Sequence, residues 1–206
     1  MDRRDRIVVF AGIVILVIAL AGVLLQGEES TEAEKTVEMR TFNVNWNEKT
    51  GAYREEGYVA KGGTETFNFS INKEGLTGVT FTLEWSDDWS RGFIIPWNWS
   101  DTLELRVSAP SGVQLSGSGT VSGTGSPLEV EAAMGTTPNS MQVNASNMTA
   151  VQEMVKEKYM SSTGSGVWQA SVGISTKPFL LDRGNDFTIH VSYSYFEPVI
   201  SEVTTS

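Results

Sequence analysis

Few residues of this chain could perform chemistry, because its 206 residues include no cysteine and one histidine. Nucleophilic catalysis of the Ser-His-Asp or Cys-His kind needs an imidazole held between a nucleophile and a carboxylate. The histidine, His190, falls in an alternating segment on the side opposite a row of aromatic residues, which predicts a strand residue that faces solvent. A zinc site with one histidine and no cysteine would need carboxylates for most of its ligands. We therefore expect a protein that is not an enzyme.

Carboxylates are the remaining chemical groups, and they gather in two stretches. One group flanks a tryptophan-rich segment, and the other directly precedes the last predicted strand. Calcium takes about six to eight oxygen ligands, often from Asp, Asn and backbone carbonyls in loops. Acidic residues that are simply solvated in turns would give the same pattern. No cofactor is therefore predicted, and calcium is the alternative that these clusters would suit. The candidate calcium ligands are Asp87, Asp88, Asp101, Asp182 and Asp186.

Residues 84–101, EWSDDWSRGFIIPWNWSD, contain four of the six tryptophans of the chain. Trp85 continues the inward phase of the preceding strand and is predicted to be a core residue. The apolar run 93–95 is unusual for a solvated connection. Four interpretations stay open: a loop folded back over the domain, a patch for a protein partner, insertion into a membrane interface, or stacking against sugars. The candidate patch for a partner or ligand is Trp89, Phe93, Ile95, Trp97 and Trp99.

The formal net charge of −10 argues against partners that require a basic surface. Binding to nucleic acid depends on a basic face that displaces counterions from the phosphates. Docking on anionic lipid head groups depends on a similar surface. A strongly acidic surface is typical of a protein that stays dispersed at high concentration. No nucleic-acid partner is therefore expected.

The N-terminal region has the pattern of a single membrane span. Residues 7–25 carry no charge, and a helix of this length, at about 1.5 Å per residue, crosses the roughly 30 Å hydrocarbon layer of a bilayer. Three arginines precede the run and four glutamates follow it, which places the N-terminus in the cytoplasm. A cleaved signal peptide is the alternative, but the length of the run favours a retained anchor in the cell membrane. The predicted organisation is a cytoplasmic tail over 1–6, a transmembrane signal anchor over 7–25, an acidic stalk over 26–36, an extracytoplasmic β-sandwich over 37–198 and a C-terminal tail over 199–206.

Apolar residues after position 37 recur mostly with a period of two, which predicts strands with one buried face. Turn residues such as Lys61-Gly62-Gly63 and Lys73-Glu74-Gly75 separate these runs. Six to nine strands joined by short polar turns are typical of an antiparallel sandwich, so the predicted fold is all-β. The clearest predicted strands are 64–71, 79–85, 102–107, 127–132, 166–174 and 186–196.

Two segments depart from this alternation. Residues 148–160, MTAVQEMVKEKYM, have apolar residues at near-helical spacing behind a candidate Thr149 cap, and they predict one short helix over an open end of the sandwich. Residues 111–127 are rich in Gly and Ser and favour a mobile hairpin, with closely packed, glycine-rich edge strands as the alternative.

Three stretches resemble a known kind of domain: GLTGVTFTLEWSDD, SDTLELRVSAPSG and, near the C-terminus, GNDFTIHVSYSY. Their strand that ends in W-x-D, their D-T-L strand that ends in P-x-G and their long aromatic last strand are similar to the jelly-roll accessory domains of secreted proteases. These are the P-domain and pre-peptidase C-terminal types, of the broader galactose-binding-like class. The resemblance implies a jelly-roll sandwich with a binding or stabilising role, and it brings no catalytic residue.

Four N-x-S/T sequons are consistent with a domain outside the cell, although sequons also arise by chance in a chain rich in Asn, Ser and Thr. Three classes of function fit these observations. The first is a membrane-tethered, non-catalytic binding or structural module, such as a small subunit of a surface complex with a protein partner. The second is a pilin-like or filament-associated subunit, and the third is a carbohydrate-binding or carbohydrate-acting protein. The candidate glycosylation sites are Asn68, Asn98, Asn144 and Asn147.

Overall fold

The structure is a computed structural model, and it describes residues 38–86, 101–175 and 184–204. Nine strands and one helix make up most of these residues. The predicted transmembrane segment 7–25, the stalk 26–36 and most of the tryptophan segment lie outside the described residues. In the part that is described, the structure contains no helix of the length and hydrophobicity needed to cross a membrane. The elements are β1 (Arg40–Ala60), β2 (Thr64–Ile71), β3 (Leu76–Trp85), β4 (Thr102–Ser108), β5 (Thr120–Gly123), β6 (Leu128–Ala133), β7 (Met141–Ala145), α1 (Met148–Tyr159), β8 (Gly166–Ser175) and β9 (Gly184–Glu202).

The strands form two antiparallel sheets that pack against each other. The five-stranded sheet has the order β6-β3-β9-β1-β7, and the four-stranded sheet has the order β2-β8-β4-β5. Four antiparallel pairs are nested along the chain: β1 with β9, β2 with β8, β3 with β6 and β4 with β5. The core between the sheets takes apolar residues from both, with Phe81 and Trp168 in ring contact at 5.7 Å between centroids. The predicted all-β sandwich is thereby confirmed.

All six clearly predicted strands are present, as β2, β3, β4, β6, β8 and β9. Their alternation is visible as burial: Val79, Phe81 and Leu83 of β3 are buried, and the intervening threonines are half-exposed. Trp168 of β8 is fully buried, and its indole N–H donates to the Gly164 carbonyl at 2.8 Å, so its polar atom is satisfied inside the core.

The sequence pattern missed the longest strand, β1, because its buried face changes along its length. The register of β1 with β9 runs without a shift from Phe42 opposite Glu202 to Ala60 opposite Gly184. Side chains alternate strictly between faces along such a strand, so Val44 and Val59, which differ by an odd number of positions, lie on opposite faces. Both are fully buried. Residues 47–50 between them are exposed, and no continuous period-two pattern exists for the sequence to display.

The helix α1 covers the face of β1 that carries Val44. Val151 and Val155 of α1 pack on Phe42 and Val44 of β1 in a small cluster that is separate from the core of the sandwich. The short helix is therefore confirmed, but its expected position over an open end of the sandwich is wrong. The helix packs instead on the outer face of the paired strands β1 and β9, which we call the β1–β9 ribbon.

The expected helix cap is also wrong. Asn147, and not Thr149, occupies the N-cap position, where its side-chain oxygen Oδ1 accepts a hydrogen bond from the backbone N–H of Ala150 at 2.9 Å. Asn is among the residues that best satisfy the free N–H groups of a first helical turn, because its side chain is short and carries an acceptor.

Residues 111–127 contain an edge strand instead of the favoured mobile hairpin. After a short 3₁₀ turn at Ser116–Gly119, β5 pairs antiparallel with β4 from Leu103 opposite Gly123 to Arg106 opposite Thr120. The Ser116 hydroxyl accepts from the backbone N–H of Glu131 at 2.9 Å and ties this segment to β6. The glycine-rich edge strand, the alternative interpretation, is thus the correct one for 120–123.

The last strand extends past the predicted boundary at residue 198. β9 continues to Glu202, and the N–H of Val203 donates to the Thr41 carbonyl at 2.8 Å. Residues 199–202, assigned to a C-terminal tail on sequence grounds, therefore belong to the five-stranded sheet. The stretch is too short to show an alternating pattern, and it is held by backbone pairing with β1 and by Ile200, which packs on the cluster under α1.

A glycine in the middle of β1 makes room for an aromatic stack. Gly51 lies opposite Tyr193, and a Cβ atom at Gly51 would overlap the end of the Tyr193 ring. That ring cannot move aside easily, because it stacks between Tyr53 at 5.8 Å and Tyr195 at 6.1 Å. Gly51 is therefore a packing requirement of the ribbon.

Replacing Gly51 with Ala is expected to lower the free energy of unfolding by about 1–3 kcal/mol, the usual cost of overpacking a close contact. Urea denaturation followed by tryptophan fluorescence measures the change. Gly135→Ala is the matched control, since a Cβ atom there meets nothing within 4 Å. Equal stability of the two variants would contradict the role assigned to Gly51.

Candidate functional site

Several chain connections meet at one end of the sandwich, which we call the loop end. Ala60 lies opposite Gly184, and Thr102 lies opposite Ser175, so β1, β9, β4 and β8 all have an end there. Ser86, just after β3, and Asp101, just before β4, are the described residues on either side of the undescribed part of the tryptophan segment. Both lie beside these same strand ends. The described ends of these strands therefore lie together, and the loops that join strands are the usual carriers of binding function on a β-scaffold.

A groove of about 870 Å³ opens at the loop end, along the ends of β1, β9 and β3. We call it the loop-end groove. Its described lining combines three carboxylates, three hydroxyl groups and two aromatic residues. The lining residues are Glu56, Gly57, Glu84, Trp85, Ser86, Ser126, Pro127, Asp186, Phe187 and Thr188.

The register of three strands places the carboxylates together. Thr188 of β9 lies opposite Glu56 of β1 on one side and opposite Glu84 of β3 on the other. Residues that pair across a sheet share a face, so the two glutamates flank Thr188 on the outer face of the five-stranded sheet. Asp186, two positions before Thr188 in β9, projects from this face as well. Glu56, Glu84 and Asp186 thus form one acidic patch from three strands.

Two basic side chains contact this patch but do not neutralise it. The Arg54 guanidinium lies 2.7 Å from a carboxylate oxygen of Glu56, and the His190 ring nitrogen Nε2 lies 3.5 Å from Glu84. Asp186 forms no ion pair with any other described residue. His190 is half-exposed on the outer face, where the alternation predicted it. Counted over the described side chains, the patch keeps an excess of negative charge.

Two aromatic residues also line the groove. Phe187 is buried, and Trp85 is half-buried against the core, as the inward phase of β3 predicted. The backbone N–H of Trp85 donates to the Ser126 hydroxyl at 3.1 Å, which ties the end of β3 to the turn before β6. The side chains of both aromatic residues belong to the inward phase of their strands, so the carboxylates and hydroxyl groups are what the groove offers to a ligand.

The predicted patch of Trp89, Phe93, Ile95, Trp97 and Trp99 lies outside the described residues, as do Asp87, Asp88, Asp182 and Asn98. Of the candidate calcium ligands, Asp101 and Asp186 are described, and they differ in setting. Asp101 is 5 % exposed at the start of the four-stranded sheet, and Asp186 is exposed on the outer face of the other sheet. Within the described ranges, no group of three or more His, Asp or Glu side chains is arranged to hold a metal ion. The calcium site stays a prediction.

Sequence reasoning missed Glu56, Glu84 and Thr188 as site residues. They come from three strands, and only the register brings them together. The one available signal was the outward phase of Glu84 between the inward residues Leu83 and Trp85, which shows exposure but not neighbours.

Away from the groove, Tyr53, Tyr193 and Tyr195 stack in a row on the sandwich side of the β1–β9 ribbon. Tyr53 donates its hydroxyl to the Ser70 carbonyl at 2.6 Å and stacks on Tyr193. Burial, and after it the neighbouring Tyr53, raises the pKa of Tyr193 above its ordinary value. The Lys73 ammonium lies 4.8 Å from the centre of the Tyr195 ring. At the end of the row, Lys49 and Glu197 form an ion pair.

The Lys49–Glu197 pair shifts both titrations. The hydrogen bond from Lys49 lowers the pKa of Glu197, and the same bond raises the pKa of Lys49. A depressed carboxyl pKa in the folded state adds stability above the unfolded-state pKa, and this contribution is lost as the pH falls through the folded-state pKa. Both side chains are about two-fifths exposed, so the solvent-screened contribution is small.

Comparisons with known proteins do not identify a family. No family model matches the chain, and no curated protein matches it. A solved structure of turnip yellow mosaic virus is similar with 10 % sequence identity and a TM-score of 0.32, over 78 % of this chain and 86 % of that one. A structure of Desmodium yellow mottle tymovirus is similar with 11 % identity and a TM-score of 0.27, over 78 % of this chain and 92 % of that one.

At these TM-scores neither structure carries an argument about function. The comparisons do not identify the chain as an accessory domain of secreted proteases. The resemblance to these accessory domains predicted both a fold and a family. The two packed sheets confirm the β-sandwich, and the family stays a prediction.

Replacing Lys49 with Met is expected to raise the pKa of Glu197 toward its ordinary value, because the hydrogen bond and the nearby positive charge are lost. Carbon-detected NMR titration of the Glu197 carboxyl measures this shift in the folded protein. Lys156→Met on α1 removes the same charge at a distance and serves as the control. A Glu197 titration that is the same in both variants would show that Lys49 does not hold the carboxylate.

Proposed function

We propose that this chain is a membrane-anchored, extracytoplasmic jelly-roll domain that acts as a non-catalytic binding module. Its loop-end groove binds a cationic segment of a protein partner at the cell surface. The single observation that carries the proposal is the acidic patch of Glu56, Glu84 and Asp186 on the outer face of the five-stranded sheet.

The anchor is supported by the N-terminal sequence. Residues 7–25 have the length and apolar character of a membrane span, and the arginines before it and glutamates after it orient it with the β-domain outside. The absence of cysteine means that the domain is stabilised by its apolar core, without disulfides. The two packed sheets provide a core of the required size.

The jelly-roll assignment is supported by the nested strand pairs. When β7 is set aside, two four-stranded sheets remain, with the orders β6-β3-β9-β1 and β2-β8-β4-β5. The pairs β1–β9, β2–β8, β3–β6 and β4–β5 are those of a single long hairpin rolled into two sheets, which is the topology of a jelly roll. β7 and α1 are additions to this plan.

The choice of a cationic partner rests on charge complementarity. Among the described residues, three carboxylates from three strands face one guanidinium, that of Arg54, and the half-exposed His190. A lysine or arginine side chain of a partner would enter a negative field at this patch. Such charge pairs mainly speed association and select the partner.

The proposed topology is tested with single cysteines, for which the cysteine-free chain provides a clean background. We expect Ser111→Cys, in the exposed turn after β4, to react with a membrane-impermeant maleimide in intact cells. Asp2→Cys should react only after the membrane is permeabilised. Labelling of both in intact cells, or of neither, would contradict the topology. A mature chain that lacks residues 1–6 would favour the filament-subunit class instead.

The proposed groove contact is tested by photo-crosslinking in intact membranes. A photoreactive amino acid at Ser86, in the groove, should crosslink to one protein of defined mass, and one at Gln152, on the exposed side of α1, should not. Glu84→Lys should abolish the Ser86 crosslink, because it reverses one of the three charges. Glu153→Lys changes the net charge equally and should leave the crosslink intact.

Salt provides an independent check of this contact. Raising the ionic strength from about 0.1 M to about 1 M shortens the Debye length from about 10 Å to about 3 Å and should weaken the crosslink. A Ser86 crosslink that is unaffected by Glu84→Lys would refute the ionic contact.

A further inference from the structure

Three of the four sequons fall on described residues. Their asparagine side chains are all exposed, and they differ in how the backbone around them is paired. Asn68 lies inside β2, Asn144 lies inside β7, and Asn147 lies between β7 and α1. N-linked modification requires the acceptor amide and the hydroxyl residue two positions later to be reachable. The local structure therefore distinguishes three motifs that are equivalent in sequence.

The sequon at Asn68 is held in the sheet. Asn68 is paired with Gln169, and its side-chain oxygen accepts from the Gln169 amide at 3.3 Å. The middle residue, Phe69, is 3 % exposed in the core, and the carbonyl of Ser70 accepts the Tyr53 hydroxyl at 2.6 Å. Exposing this tripeptide to an enzyme would require β2 to leave the sandwich.

The sequon at Asn144 is held less firmly but is still within a strand. Asn144 pairs with Thr41 of β1, and its side-chain oxygen accepts from the Thr41 hydroxyl at 2.9 Å. The next residue, Ala145, is half-buried against the small cluster under α1. Reaching this motif would separate β7 from β1.

The sequon at Asn147 is open. Asn147 and Thr149 are both exposed, and the Asn147 backbone is extended, with φ −164° and ψ 170°, just before the first turn of α1. The backbone pairing of β7 with β1 ends at Ala145, so Asn147 lies beyond the last paired residue. No rearrangement of a strand is needed to present this side chain.

The cap and the modification use opposite ends of the same amide. The oxygen Oδ1 accepts the Ala150 N–H and caps α1, and the nitrogen Nδ2 lies 3.3 Å from the Ser146 hydroxyl. A sugar bound to Nδ2 leaves Oδ1 in place as the cap acceptor and leaves one N–H on the nitrogen. The helix therefore tolerates the modification and also fixes the direction in which Nδ2 points.

We propose that Asn147 is the site at which the folded domain is N-glycosylated, which rests on the extracytoplasmic placement proposed above. The co-reactant is a lipid-linked sugar phosphate. A bond forms between Nδ2 of Asn147 and the anomeric carbon of the sugar, and the bond from that carbon to the phosphate oxygen breaks. The lipid phosphate leaves with the electron pair, and Nδ2 releases one proton.

The test uses the full chain, purified from the membrane of its native host, with intact-mass measurement and mapping of the peptides that contain Asn68, Asn144 and Asn147. We expect the mass of one glycan on the Asn147 peptide. Asn147→Asp should remove it and keep the melting temperature, because an aspartate oxygen also caps a helix. Thr149→Val should remove it with the cap residue unchanged, and Thr149→Ser should retain it.

The matched controls are Asn68→Asp and Asn144→Asp, which should leave the glycan on Asn147. An unmodified Asn147 peptide would overturn the inference, as would a glycan on Asn68 or Asn144. Labelling of Ser111→Cys in the same cells separates the two proposals. An unmodified Asn147 in a chain that is labelled from outside refutes the glycosylation alone, and an unmodified, unlabelled chain refutes the topology as well.

Discussion

The pairing of β1 with β9 is the constraint on which the rest of the structure depends. These two strands keep one register from Phe42 opposite Glu202 to Ala60 opposite Gly184. Because side chains alternate strictly along them, the ribbon buries one face in the sandwich and the other under α1. A shift by one residue would move both apolar sets to the wrong faces at once. Two separate cores therefore fix the same register, and each supports the other through the backbone.

The loop-end groove follows from this register. Thr188 is flanked by Glu56 and Glu84 only because β9 pairs with β1 on one side and with β3 on the other. Three carboxylates on one face repel one another, and a fold that kept them apart would avoid that cost. Their exposure to solvent makes the repulsion tolerable, since water screens charges at the surface far better than a protein interior does. The same exposure leaves their negative field available to a partner.

The strands that alternate in one phase, such as β3 and β8, could be predicted from the sequence, because one buried face produces a period of two. β1 could not, because its apolar phase changes between Val44 and Val59 and its middle is exposed. The helix was visible from the spacing of Val151 and Val155, but its location was not, since its partners Phe42 and Val44 lie far away in the chain. The groove residues were hidden for a related reason: register, which the sequence does not display, makes Glu56 and Glu84 neighbours.

Asn147 shows why a motif needs its local structure before it can be interpreted. At the level of residues, Asn68, Asn144 and Asn147 are equivalent sequons. The sheet uses the side-chain oxygen of the first two for contacts with Gln169 and Thr41 and holds their backbone in paired strands. A helix start makes a smaller demand, because a cap needs one acceptor and places no partner strand over the residue. All three asparagines use the side-chain oxygen as an acceptor, so Asn147 differs in its backbone, which no described strand pairs with.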